Sequence, residues 1–180
     1  MPDEIERKFI VPNEHHALFV GREGGVTMTQ AYLSSSSPTV RVRVVEAADG
    51  SVEAKITVKG KSSDGGLVRS EWEWPIPVEE AREVIARLNP PSLTKTRHVV
   101  RNGDDLWEVD VLRVNEVAGR PPGMWSYLVV AEYEAPSLEA VRNVVLPAWV
   151  GRDVTDDLAF AMSNLTTEAT RDLAWRKAYL

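Results

Sequence analysis

The chain has no cysteine among its 180 residues. That absence excludes a disulfide framework, a thiolate nucleophile and a Cys-ligated zinc site. An excess of positive charge is missing too. Lys and Arg number 21 against 27 Asp and Glu, a formal net charge of −6, which gives no support for nucleic acid or an anionic membrane surface as a partner. No apolar run approaches the roughly 18 residues of a membrane-spanning helix, and the first strand is charged, so the expected location is cytoplasmic. Histidine is scarce: His15 and His16 are adjacent, and neighbours on a helix face different directions, so they read as surface or cap residues rather than metal ligands. Internal repeats, low-complexity tracts and linkers are not found. Residues 1–180 are read as one domain, long enough for a sizeable core.

What the chain does contain is charge at a period of two. In Glu4-Ile5-Glu6-Arg7-Lys8, a strand sends Glu4, Glu6 and Lys8 to one face and Ile5, Arg7 and Phe9 to the other. The pattern recurs at Arg41/Arg43, Lys55/Lys59, Arg69/Glu71/Glu73, Lys95/Arg97, Glu108/Asp110 and Glu132/Glu134. Strands are expected over 3–11, 26–33, 39–48, 51–59, 67–76, 93–101, 104–114 and 127–135, with hairpin turns at Ala48–Ser51 and Asn102-Gly103. Helical spacing predicts a short helix capped by Asn13, with Ala17, Leu18 and Val20 inward. Others are expected from Val78 to Leu88, from Ser137 to about Val145, and over roughly 166–179. Residues 60–66 and 115–126 read as loops. Trp72, Trp74 and Trp107 fall on the apolar strand faces and are expected as core beneath the helices.

One solvated face is the ordinary outcome for an antiparallel sheet. Two features argue for more. Like charges at i and i+2 repel unless something binds between them. The pairs also segregate, acidic on the first, seventh and eighth strands and basic on the third, fourth and sixth. A lining of Glu4, Glu6, Glu71, Glu73, Glu108, Asp110, Glu132 and Glu134 against Lys8, Arg41, Arg43, Lys55, Lys59, Arg69, Lys95 and Arg97 cannot be a dry core. It suits a wet tunnel whose basic side binds many negative oxygens. Its acidic side offers those eight carboxylates to a hard divalent cation, which takes phosphate oxygens and water as its other ligands.

These residues resemble the CYTH, or triphosphate tunnel metalloenzyme, superfamily. Glu4-Ile5-Glu6-Arg7-Lys8 is similar to its Glu-x-Glu-x-Lys signature, and Gln30-Ala31-Tyr32-Leu33 to the bacterial Gln-x-Tyr-Leu element. Arg41-Val42-Arg43, Thr57-Val58-Lys59-Gly60, Arg69-Ser70-Glu71-Trp72-Glu73, Lys95-Thr96-Arg97, Trp107-Glu108-Val109-Asp110 and Ala131-Glu132-Tyr133-Glu134 follow in the expected order. The resemblance implies an α+β fold, an eight-stranded antiparallel β tunnel, or barrel, with helices packed on the outside. It implies Mg²⁺- or Mn²⁺-dependent hydrolysis of the terminal phosphate of inorganic tripolyphosphate or a related small-molecule triphosphate. A class IV-type adenylate cyclase, a thiamine triphosphatase and a non-catalytic polyphosphate- or nucleotide-binding module are the rival readings. By the same resemblance Glu4, Glu6, Glu132 and Glu134 hold the metal, and Lys8, Arg41, Arg43, Lys59, Lys95 and Arg97, joined by Arg69, bind phosphate oxygens. Only parity adds Lys55. Lys8, Tyr32 and Asp157 are the catalytic candidates, although Tyr32 reads equally as packing and Asp157 equally as a helix cap. A homodimer is left open. Two departures stand out: residues 119–127 are long for a turn and are expected to reach over one tunnel mouth, and Val154–Phe160 lacks the family's arginine and tyrosine.

Overall fold

A computed structural model describes residues 3–116 and 125–180. Its eight strands are β1 (Asp3–Ile10), β2 (Val26–Ser34), β3 (Thr39–Glu46), β4 (Val52–Ser63), β5 (Val68–Ile76), β6 (Ser92–Asn102), β7 (Asp105–Glu116) and β8 (Trp125–Glu134). They close into an antiparallel barrel in the order β1-β5-β4-β3-β2-β6-β7-β8. The first strand is the seam. Glu4 lies opposite Arg69 on β5, while the run from Glu6 opposite Glu134 to Ile10 opposite Val130 joins β8. Period-two alternation then gives each strand a core face outside and a mostly charged face inside.

Three helices cover the outer wall: α1 (Val78–Leu88), α2 (Leu138–Asn143) and α3 (Glu168–Tyr179). The apolar stripe of α1 sets Ala81, Val84 and Ile85 over Val42, Val44 and Ala54. Ser137 starts α2, its hydroxyl accepting the Ala140 N–H at 3.1 Å, and a Thr167/Thr170 capping box starts α3. One large core cluster lies outside the barrel. Phe9, Val11, Trp107, Val109, Val129 and Tyr133 pack there with Phe19, Val141 and Trp149.

At one end the inner face itself turns apolar. Ile10, Leu93, Leu112 and Val130 keep the parity of the charged residues on their strands, yet they pack with Tyr32, Val154, Phe160, Met162, Leu165 and Ala174 of α3. The segment after Trp149 therefore fills one end of the barrel interior. No helix among the described residues is long and apolar enough to cross a membrane.

Several local expectations are corrected. Asn102 pairs with Asp105, so the hairpin loop is Gly103-Asp104, and Gly103, at φ +63°, takes the position that a type II′ turn reserves for glycine. Residues 13–18 form a 3₁₀ helix entered from Pro12 without a side-chain cap. Leu18 there is 49% exposed, and it is Phe19 that is buried. β4 runs on to Ser63, and a 3₁₀ turn, Asp64–Gly66, follows, so 60–63 are strand. Trp107 is core, but Trp74 is 49% exposed and Trp72 half-buried, because α1 covers β3 and β4. Most of the expected loop at 115–126 lies outside the described residues, and so does the expected reach over a tunnel mouth.

Candidate active site

The inward faces enclose a cavity of about 610 Å³. Glu4, Glu6, Lys8, Tyr32, Arg41, Arg43, Lys55, Lys59, Arg69, Glu71, Glu73, Lys95, Arg97, Glu108, Glu132 and Glu134 all line it. The structure thus brings together every expected site residue except Asp110 and Asp157. Asp110 keeps the right parity but is fully buried and does not reach the cavity surface. Arg97 grips it with two bonds, Nε to Oδ1 at 2.7 Å and Nη2 to Oδ2 at 2.6 Å, and Lys95 Nζ sits 2.5 Å from Oδ2. With both oxygens engaged it acts as a counter-ion that holds two cations in place. Asp157 lies elsewhere: its carboxylate accepts the Ala159 N–H at 3.1 Å and pairs with Lys177 of α3 at 2.6 Å. It is a turn cap.

Opposite charges neutralise one another across the cavity. Lys8 lies 3.0 Å from Glu132 and 3.7 Å from Glu6. Lys59 bridges Glu4 at 2.5 Å and Glu71 at 2.7 Å. Arg97 reaches Glu132 at 2.7 Å and also contacts Glu108. Lys55, near the rim, pairs with Glu73 at 3.1 Å. Arg69 is anchored to neutral groups, the Gly60 carbonyl at 2.6 Å and the Thr39 hydroxyl at 2.7 Å. Arg41 donates to the Thr57 hydroxyl at 3.2 Å, which in turn donates to Glu73 at 2.9 Å. Among the described residues Arg43 has neither an ion pair nor a neutral anchor of this kind. No carboxylate of those residues lies within ion-pair distance of it, whereas Arg41 lies 3.7 Å from Glu73 and 3.9 Å from Glu71; the Arg43 Nε, like that of Arg41, is buried without a partner. Burial, with Arg41 and Arg97 adding repulsion, lowers its pKa to about 10.

The carboxylates fall into two groups. Burial opposes ionisation of Glu132 and Asp110, but Lys8 and Arg97 hold Glu132 well below the usual range, and Arg97 and Lys95 hold Asp110 down. Glu4, Glu6, Glu108 and Glu134 are pushed up instead. Burial is the main cause in each case, and neighbouring carboxylates add to it: Glu71 at Glu4, Glu132 at Glu6 and Glu108, and Glu4, Glu108 and Glu6 at Glu134. Those four lie on the adjoining strands β1, β8 and β7, where burial and one another's charge oppose their ionisation even though Lys59 and Arg97 touch Glu4 and Glu108. Among the described residues, no three of these carboxylates are arranged as a ready-made metal cage.

Sequence reasoning passed over Thr39, Met28 and the floor residues Ala161, Met162 and Ser163. Thr39 and Met28 carried the parity signal, whereas the floor comes from an aperiodic segment with no such signal.

A profile of the CYTH domain family matches residues 2–145. The chain is 36% identical over 167 residues, 92% of its length, to an inorganic triphosphatase of Acetivibrio thermocellus, of which 94% is covered. It is 31% identical over 156 residues, 86% of its length, to an inorganic triphosphatase of Nitrosomonas europaea, 90% covered. A crystal structure of an inorganic triphosphatase superposes with a TM-score of 0.54 at 25% identity, over 92% of this chain and 95% of that one. With its barrel closed around a cavity of paired acids and bases, the chain belongs to the CYTH family.

Proposed function

We propose that the chain is a divalent-metal-dependent hydrolase that removes the terminal phosphate of inorganic tripolyphosphate, with Mg²⁺ or Mn²⁺ as the metal. The observation that carries this reading is one cavity inside the closed barrel, lined by lysines and arginines and by four carboxylates of β1, β8 and β7 whose ionisation burial and neighbouring carboxylates oppose. The inorganic triphosphatase relatives support the same choice of substrate.

In this reading Arg43 makes first contact with the substrate, since it needs no partner released. Lys8, Arg41, Lys59, Arg69, Lys95 and Arg97 then bind phosphate oxygens, largely by exchanging carboxylate oxygens for phosphate ones. The exchange would leave carboxylates unpaired in a poorly solvated space, which is costly. The donor set fits a hard cation: Glu4, Glu6, Glu132, Glu134 and Glu108 supply only oxygens, and their mutual repulsion is what a divalent ion relieves. When bound, such an ion would draw charge from phosphate oxygens and acidify water. Glu71 and Glu73 stay with the lysines and arginines of β3 and β4. Tyr32 is held protonated, chiefly by burial, and offers an O–H to the developing charge. Phosphoryl transfer needs mainly positioning and charge stabilisation, which these side chains provide.

Residues 1–180 then form one domain built around this site, in a cytoplasmic protein that needs no disulfide. Phosphate release from tripolyphosphate, ATP and thiamine triphosphate with Mg²⁺ or Mn²⁺ tests the reading. Rapid release from tripolyphosphate, abolished by Glu6→Ala, is expected. Cyclic AMP and pyrophosphate from ATP would replace it with a cyclase, and metal-dependent binding without turnover would replace it with a binding module.

A further inference from the structure

Among the described residues, Gln30 Oε1, Arg41 Nε, Arg43 Nε and Trp107 Nε1 are the barrel-wall side-chain atoms buried without a partner, and two of them belong to residues that face each other. Gln30 on β2 and Arg43 on β3 are directly opposed in the β2–β3 ladder. Gln30 Oε1 and Arg43 Nε are both buried without a hydrogen bond. The first is an acceptor and the second a donor. Gln30 is fully buried, and the other end of its amide is engaged, Nε2 donating to the Tyr32 hydroxyl at 2.8 Å. The reverse amide orientation would turn NH₂ toward the Arg43 side, donor against donor. A residue that merely filled space here would be apolar, because a half-satisfied buried amide costs stability.

The bond also fixes the direction of the tyrosine. Its oxygen already accepts from Gln30, so its own O–H is free to donate. Tyr32 lines the cavity with Arg41 as its partner across the ladder. The two strands thus present Tyr32 and Arg43 to the same space, with the Gln30 amide between them.

We propose that Gln30 is a positioning residue that couples Arg43 to Tyr32. It aims the Tyr32 hydroxyl proton at the bound phosphate chain and takes the Arg43 Nε–H on its free carbonyl once phosphate oxygens engage the terminal nitrogens. The coupling rests on the triphosphatase reading for its effect on turnover, and on triphosphate binding alone for its effect on affinity.

Gln30→Glu separates the two halves of the relay. A carboxylate still accepts from Arg43 but cannot donate to Tyr32, so the tyrosine turns its proton toward Glu and away from the cavity. The expected result is a kcat lowered as far as in Tyr32→Phe, by roughly tenfold or more, the worth of a hydrogen bond to a charged acceptor, with KM nearly unchanged. Gln30→Met, of similar length and apolar, loses both bonds and raises KM as well. In a Tyr32→Phe background Gln30→Glu has no further effect on kcat. A purely structural Gln30 predicts instead that Gln30→Met, once folded, is fully active, and either that result or equal Gln30→Glu losses with and without the Tyr32 hydroxyl overturns the proposal. If the wild type binds tripolyphosphate without hydrolysing it, the hydrolase reading falls while the Kd of Gln30→Met still decides the coupling to Arg43. A Kd weakened in Gln30→Met but not in Gln30→Glu supports it, an unchanged Kd in Gln30→Met would sink it, and absence of binding would sink both.

Discussion

Asp110 shows what a single buried charge does in this protein. It is fully buried and neutralises both Lys95 and Arg97, the two basic side chains of β6 that face the cavity. Replacing it by asparagine leaves those cations with Glu132 and Glu108 alone, and an uncompensated buried charge costs ~3–5 kcal/mol. Glu83→Gln at the exposed Arg87 pair should cost less than ~1 kcal/mol. Urea unfolding of the two variants compares them, and equal losses would contradict this assignment. Lys95 also has a pH signature. Burial lowers it to about 8, against the pull of Asp110, whereas an unfolded lysine titrates near ~10.4. Between those values the unfolded chain binds more protons than the folded one, so this group makes stability rise with pH across the window. Lys8 and Lys59 act in the opposite sense. Burial alone would lower them, but Glu132 and Glu6 raise Lys8, and Glu4 and Glu6 raise Lys59. Their stabilisation is complete below about 10.4 and is lost as pH climbs through their folded values. Unfolding free energy should therefore climb from about pH 8 toward 10, and Lys95→Met should flatten the climb.

The strands were legible because a two-residue period is a strong signal, and a face bearing Arg41 and Arg43 opposite Val40, Val42 and Val44 admits one orientation. The same alternation brought the expected lining together around one cavity. It fell short at Asp110, where parity gives the face but not the depth; Asp157, a candidate from the resemblance rather than from parity, takes the other role the sequence allowed it, a turn cap. Turn details were harder to read, since the residues that close a loop are set by register rather than by composition. Asn102 looked like half of a turn and proved to be a paired strand end. The two glycine turns give a test at this scale. A Cβ on Gly103 would meet nothing within 4 Å, so Gly103→Ala should cost only the left-handed strain of ~1–2 kcal/mol. Gly66 lies at φ +90°, and its Cβ would sit 2.9 Å from the Thr155 carbonyl oxygen. Gly66→Ala must add to that strain by pushing the β4–β5 turn off the segment that leads to the barrel floor. Thermal unfolding should rank Gly66→Ala clearly below Gly103→Ala.

On the scale of the molecule, closing eight strands leaves no edge for other chains to pair with, yet closure alone does not make a one-ended cavity. That depends on the segment after Trp149, whose Phe160, Met162 and Leu165 pack against Ile10, Leu112 and Val130, while Ala161, Met162 and Ser163 line the cavity. This floor had no signal in the sequence because its residues come from two 3₁₀ turns, Leu158–Phe160 and Met162–Asn164, with no sustained period. The folded molecule treats two neighbours in it very differently: Phe160 is fully buried, whereas Leu158 is 74% exposed. Truncating a buried phenylalanine in a core that cannot fully collapse costs ~3–5 kcal/mol. Phe160→Ala should lose that much in urea unfolding, and Leu158→Ala less than ~0.5 kcal/mol, as a surface change does. Turnover should follow the same order at temperatures where both variants remain folded, because a loosened floor no longer holds Met162 and Ser163 against the cavity. If Phe160→Ala were as stable and as active as Leu158→Ala, the C-terminal segment would be only a cover on the barrel, and the cavity would not depend on it for its closed end.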